Sequence, residues 1–210
     1  MFFLKEQIQA CISKDNVQLI LFNKVLNVTK LVHTEPPLLT SCLLRASGTD
    51  ISHWFDPKSR DFPPYDDPVS NRTVPLTPNL APLLHVHDEN GAYLSHPHPL
   101  PWWKDPSFVI GHITVRPRRI NFLNMLTHDD VIVTVCSEET LLDIHKRLQI
   151  HNAHCLSYTW KYGEKDLDMN KTLEENGVED VENEFEELGL DGTEAIPTIR
   201  LYFNDDLTVI

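Results

Sequence analysis

Hydrophobic and polar positions alternate most cleanly in the second half of this chain. Residues 120–126 read as a strand, His128-Asp129-Asp130 as a turn, and Val131-Ile132-Val133-Thr134-Val135 as a β-branched second strand. Ser137 offers a helix N-cap with Glu138 and Glu139 in the first turn. Leu141, Ile144 and Leu148 then recur at helical spacing, with Lys146 and Arg147 toward the C-terminal end. Leu156, Tyr158, Trp160 and Tyr162 share one face of a period-2 strand, and Gly163-Glu164-Lys165 turns the chain. A last strand over 198–203 puts Ile199, Leu201 and Phe203 on one face. The predicted order is hairpin, helix, strand, turn, strand.

The first half is less regular. Residues 18–31 alternate as a strand, a turn at Asn23-Lys24 and a second short strand. Residues 57–117 then hold 12 of the chain's 15 prolines, and runs such as His96-Pro97-His98-Pro99-Leu100-Pro101 continue neither a helix nor a central strand. The same stretch carries Trp102 and Trp103, an aromatic pair that buries a large area once it finds a surface. It is expected to be an extended strap that docks on a neighbour, with Trp102 and Trp103 as its partner-binding anchors. Three regions are expected: 1–61, a Pro-rich linker at 62–117, and a folded domain at 118–210.

Charge sharpens that division. The 210 residues carry a net charge of −13, which disfavours a general nucleic-acid binder. Residues 1–120 hold 12 Lys and Arg against 11 Asp and Glu, whereas residues 121–210 hold 6 against 20. Residues 174–194 alone carry 10 acidic side chains and no Lys or Arg. Arg116, Arg118 and Arg119 form the one dense basic patch, at the junction. They either neutralise the acidic C-terminal part or contact an acidic partner. No apolar run approaches the ~20 residues of a membrane-spanning helix. The start lacks the basic region of a signal peptide. Cys11, Cys42, Cys136 and Cys155 form no CxxC and read as reduced thiols of a cytoplasmic protein. Partners are therefore expected to be proteins, with neither nucleic acid nor membrane.

Little in the chain suggests catalysis. There is no Gly-x-Ser-x-Gly, P-loop or GxGxxG. The acidic pairs of 174–194 lie in a stretch too polar to raise a carboxyl pKa by burial. His85, His87, His96 and His98 cluster, yet without a defined ligand geometry, and a polar surface loop is the simpler reading. A non-enzymatic protein is expected.

Two family resemblances add to this. The C-terminal order, with Lys171-Thr172-Leu173-Glu174-Glu175-Asn176-Gly177-Val178 before the last strand, resembles the ubiquitin-like β-grasp fold over about residues 118–207. The chain ends Leu207-Thr208-Val209-Ile210 and lacks the Gly-Gly tail of a conjugated modifier, which implies an interaction domain. Residues 17–60 resemble the start of a cytochrome b5 haem domain. Val25-Leu26-Asn27-Val28-Thr29-Lys30 matches its Val-Tyr-Asp-Val-Thr-Lys segment, and the run from Gly48 to Phe55 matches its Gly-Gly-Asp-Ala-Thr-x-x-Phe helix. Such domains hold iron between two imidazoles. The first ligand's His-Pro-Gly-Gly turn falls on Glu35-Pro36-Pro37-Leu38, and the second ligand falls near Arg60. The nearest imidazoles, His33 and His53, are the candidate haem ligands.

A degenerate b5-like start, a Pro-Trp-Trp and a β-grasp ending in Leu201-Tyr202-Phe203-Asn204-Asp205-Asp206-Leu207-Thr208 together resemble the family of cytochrome b5 domain-containing proteins with such a C-terminal domain. The expected fold class is α+β: a degenerate b5-like segment, an irregular Pro-rich strap and a β-grasp domain. The resemblance implies a haem-binding protein of the motile-cilium axoneme and cytoskeleton, associated with radial spokes and other axonemal proteins near the doublet microtubules. A haem-based redox sensor or electron carrier is the alternative it implies.

Overall fold

The computed structural model describes residues 1–10, 13–68, 71–78, 100–151, 157–189 and 195–204, without the side chains of 183, 184 and 186. The fold is mixed α and β, in two compact units: Met1 with Phe3–Ile113, and Phe2 with Thr114–Ile210.

The first unit is built on a four-stranded sheet in the order β1-β6-β3-β2, from β1 (Phe2–Phe3), β2 (Gln18–Leu21), β3 (Lys24–Asn27) and β6 (Val109–Ile113). β2 and β3 form a tight hairpin whose corner, Phe22-Asn23, takes positive φ at both residues. The turn thus sits one residue earlier than the sequence suggests, and Lys24 opens β3. Asn27 Oδ1 then accepts from Thr29 N, and Thr29 Oγ1 from Val17 N, which sets the chain into α2 (Thr29–Thr34). Pro37 starts α3 (Pro37–Arg45), where its missing N–H is harmless. Residues 48–51 bond back to Gln18 and Ile20 and extend the β2 edge. The expected helix after Gly48 is only a 3-10 turn, Ser52–Trp54.

The described part of the Pro-rich stretch is more regular than a strap. β4 (Pro64–Asp67) and β5 (Arg72–Pro75) pair as a hairpin. Pro106–Phe108 form a 3-10 turn capped by Asp105, and β6 follows directly, paired to β3. Gly111 lets β6 approach the N-terminal strand: a Cβ there would strike the Met1 carbonyl and the Phe3 ring. The core joins Leu19, Leu21, Leu26 and Leu31 of the first elements to Leu43, Ile51, Phe55, Phe62 and Trp102. α1 (Lys5–Ala10) adds Ile8 to a smaller cluster with Ile20 and Val25.

The second unit has the β-grasp strand order. β7 (Pro117–Asn124) and β8 (Asp130–Cys136) form the first hairpin, and α4 (Leu141–Leu148) follows. β9 (Tyr158–Tyr162), β10 (Lys165–Asp166) and β11 (Thr198–Phe203) complete the sheet β10-β9-β11-β7-β8. The last strand lies in the middle, parallel to β7 and antiparallel to β9. Period-2 alternation buries Ile120, Phe122, Trp160, Ile199 and Leu201 on one sheet face, against Leu141, Ile144 and Leu148 of α4. Phe122 and Trp160 meet edge to face at 5.2 Å. Phe203 is half exposed at the end of its strand. Gly163, at φ +59, makes the β9–β10 turn.

The helix start differs from expectation. Thr140, not Ser137, is the N-cap, and its hydroxyl accepts from Asp143 N. Glu139 does not serve the helix dipole at the surface. It is buried, paired with Arg147 at 2.7 Å, and accepts from Cys136 N. Burial, with that carboxylate adding to it, pushes the Cys136 thiol up to about 12. Part of the acidic run forms α5 (Glu182–Glu187).

Candidate functional site

The two candidate imidazoles are set by different elements of the first unit. His33 lies on α2, exposed, with Nε2 3.6 Å from the Asp15 carboxylate. His53 lies in the 3-10 turn, also exposed, and meets Trp54 edge on at 6.2 Å. His53 borders an open depression of about 460 Å³ with Cys42, Arg45, Ala46, Trp54 and Pro78. His33 is not part of its wall. Among the described residues no three His, Cys, Asp or Glu side chains converge as a metal-binding group. The clustered histidines 85, 87, 96 and 98 lie outside the described residues.

The interior beside them is occupied by the chain's own aromatics. Phe55 packs on Phe62 at 4.5 Å and edge on against Trp102 at 6.3 Å. Trp103 closes the group at 5.1 Å from Phe62 and 5.5 Å from Trp102. Trp103 Nε1 donates to Asp61 Oδ1 at 3.0 Å, and Lys104 binds the other oxygen of the same carboxylate. Trp102 is 0% exposed. The expectation that Trp102 anchors a partner is therefore corrected: its indole completes this unit's own core. Trp103 is half buried, with its ring in the same cluster.

A second cavity lies at the corner of the β2–β3 hairpin. It has a volume of about 280 Å³, with Leu21, Leu26, Val109 and Trp103 as apolar walls and Lys24 and Arg60 at its rim. The Asp56 carboxylate accepts from Lys58 N and Ser59 N and shapes the loop before Arg60. The Ser59 N–H is also the main reason the Asp56 carboxyl is held below its ordinary value. Arg60 takes a positive φ of 55° and lays its guanidinium over the Phe22 ring at 5.4 Å.

The basic patch of the second unit turns inward. Arg118 is 5% exposed; it donates to the Val178 and Glu179 carbonyls at 2.9 and 2.7 Å and lies 3.4 Å from Asp180. Burial pulls its pKa down, against the pull of Asp180. Arg116 pairs with Asp180 at 2.9 Å, and Arg119 Nε donates to Glu182 Oε1 at 2.7 Å. As a partner-binding face Arg116, Arg118 and Arg119 are thus corrected: they neutralise the acidic segment of their own unit. Sequence reading missed the buried Glu139–Arg147 pair and the hub at Asn176. The Asn176 side chain bonds Asp168 N, Asp168 O and Thr172 O. The Asn176-Gly177 dipeptide was its one available signal.

Cytochrome b5 domain-containing protein 1 of Xenopus laevis is 41% identical over 176 residues, covering 81% of this chain and 79% of its own length. The Mus musculus protein of that name is 39% identical over 196 residues, covering 88% of this chain and 81% of its own. This chain belongs to the family of cytochrome b5 domain-containing protein 1. The Homo sapiens member is 39% identical over 176 residues, 81% of this chain and 75% of its own. No family model matches the chain. Among solved structures, the solution structure of the UBL domain of yeast Ddi1 is similar at 20% identity and a TM-score of 0.29, covering 46% of this chain and 100% of its own.

Family membership makes haem the implied cofactor. Among the described residues, no two imidazoles are placed to hold a haem between them. Glu35-Pro36-Pro37 and Arg60 stand where the ligands are expected, and a guanidinium does not ligate iron. His33 and His53 are both exposed and do not border a common cavity in the depression His53 lines. Trp102, Phe55 and Phe62 fill the adjoining interior.

Proposed function

We propose that this chain is a non-enzymatic adaptor of the motile-cilium axoneme. It acts as a radial-spoke-associated structural and regulatory component of ciliary beating, in contact with axonemal proteins near the doublet microtubules. The ciliary place rests on the family resemblance. One observation favours an adaptor over a haem carrier: the first unit's interior is packed with its own Phe55, Phe62 and Trp102, while His33 and His53 stay at the surface. An electron carrier needs two neutral imidazoles enclosing the iron. A β-grasp sheet suits the holding of other proteins better than redox chemistry.

The test is expression of the tagged full chain in motile ciliated cells, followed by detergent extraction of the axonemes. Retention in the axonemal pellet with spoke proteins, and an altered beat on depletion, are the expected results. A chain found wholly in the soluble fraction defeats the proposal. So does a sharp low-spin Soret band on haemin addition that His53→Ala abolishes, which would make the chain a haem-based redox sensor.

A further inference from the structure

The cavity at the β2–β3 corner has the chemistry of a binding site. Leu21 and Leu26 from the hairpin, Val109 from β6 and the Trp103 ring are its apolar lining; Lys104, held by Asp61, and Asp105, which accepts from Ser107 N, line it as well. At about 280 Å³ it lies near the lower end of ligand pockets and suits one bulky side chain. Two further cations, Lys24 and Arg60, complete the charged lining. Among the described residues neither Lys24 nor Arg60 has a carboxylate partner within ion-pair distance. By contrast, Arg116, Arg118, Arg119 and Arg147 all find acids.

The rim is also strained. Phe22 and Arg60 both hold left-handed backbone, at φ 48° and 55°, and their side chains stack on one another. Such outliers persist where surrounding structure fixes them, and they cluster at ligand clamps. Ser52 Oγ holds Phe22 N at 2.8 Å, and the Asp56 carbonyl holds Arg60 N at 2.8 Å. The Phe22 ring fixes the guanidinium at the mouth without neutralising it, so its N–H groups stay available to a carboxylate. Asp61 fixes the Trp103 wall through the indole N–H.

We propose that this cavity is a docking site for an acidic peptide segment of a partner protein. The cavity takes one aromatic or leucine side chain, and Arg60 and Lys24 pair with the carboxylates that flank it. An apolar anchor inside a charged rim is the anatomy of a protein-binding hot spot. The site rests on the adaptor reading and deepens it, since it names the chemistry of one partner. Arg60, where the family resemblance places the second iron ligand, serves here as an anion receptor.

The probe is an acetylated, amidated peptide, Asp-Glu-Asp-Phe-Asp-Glu-Asp, titrated into the isotope-labelled full chain and followed by NMR. Saturable shifts of the Trp103 indole N–H and the Arg60 side-chain N–H are expected. Affinity should fall about tenfold or more in Arg60→Glu, and less in Arg60→Lys, which keeps the charge but loses the fork. Lys24→Glu, at an exposed strand position, decides the matter should Arg60→Glu disturb the loop. A control peptide with Ser for Phe that binds equally well overturns the proposal in favour of surface charge alone. Free 3-phenylpropionate binding as tightly as the peptide overturns it in favour of a small-acid site. Unchanged binding by both charge reversals also overturns it. Axonemal retention of an Arg60→Glu chain that no longer binds the peptide overturns the docking role and leaves the adaptor reading intact. Absence of the parent chain from axonemes defeats the adaptor reading, while the titration still decides the cavity.

Discussion

The two units bury tryptophan in opposite ways. In the second, Trp160 lies on a strand whose alternation announces it, against Phe122 and a helix close in sequence. In the first, Trp102 comes from a proline-rich stretch without periodicity and reaches Phe55 and Phe62 from far along the chain. The lesson is that an aromatic pair outside any repeat is a core residue or an interface residue according to what lies within its reach. Sequence pattern settles that only when the neighbours are local.

Replacing Trp102 breaks the contrast most directly. Trp102→Ala should cost the first unit about 3–5 kcal/mol, since it opens a cavity in a packed core. Hydrogen exchange at β2 and β3 would show the loss. A free chain of unchanged stability would mean that Trp102 serves a partner after all. Asn176→Ala tests the second unit's polar hub and should cost about 2 kcal/mol, because it leaves buried backbone groups unpaired. Chemical denaturation read at the Trp160 indole would measure it. Asp61→Asn is milder, at about 1 kcal/mol or less, because its ion pair is half exposed. Its signature is a displaced Trp103 indole N–H resonance. The smallest effect is a pH dependence. Burial, with Lys146 adding to it, pushes His145 below the ordinary 6.5. The unfolded chain therefore takes the proton first as pH falls. The second unit keeps its full stability above about pH 6.5 and loses some as pH drops below that value. His145→Gln should flatten this slope in melts at pH 7.5 and 5.5.

Much of the second unit was legible because its strands alternate and its helix repeats at 3.6 residues. The helix start slipped by three because Ser137 and Thr140 are both good caps, and burial of Glu139 with Arg147 selects Thr140. The Arg118 ion pair was foreshadowed by the basic patch facing an acidic run, though which residue would be buried was not. The first unit was legible at β2 and β3 and illegible after Phe55. A chain held by distant partners shows no period. The Arg60 cavity was visible only as a misfit, an arginine where an imidazole was sought. Its other half depends on left-handed backbone at Phe22, and a Phe-Asn dipeptide does not advertise that turn as Asn-Gly would.

The pairing of β3 with β6 has a consequence for biosynthesis. Leu26 meets Val109 only after the whole intervening stretch has been made. On the ribosome, the hairpin of β2 and β3 emerges early and keeps an unpaired edge until β6 arrives, a window in which another strand could capture it. The second unit's first hairpin and helix close over short loops, but its β7 edge likewise waits for β11. Translation pauses between residues 30 and 110 would therefore lower the yield of the first unit, and pauses between residues 137 and 197 that of the second.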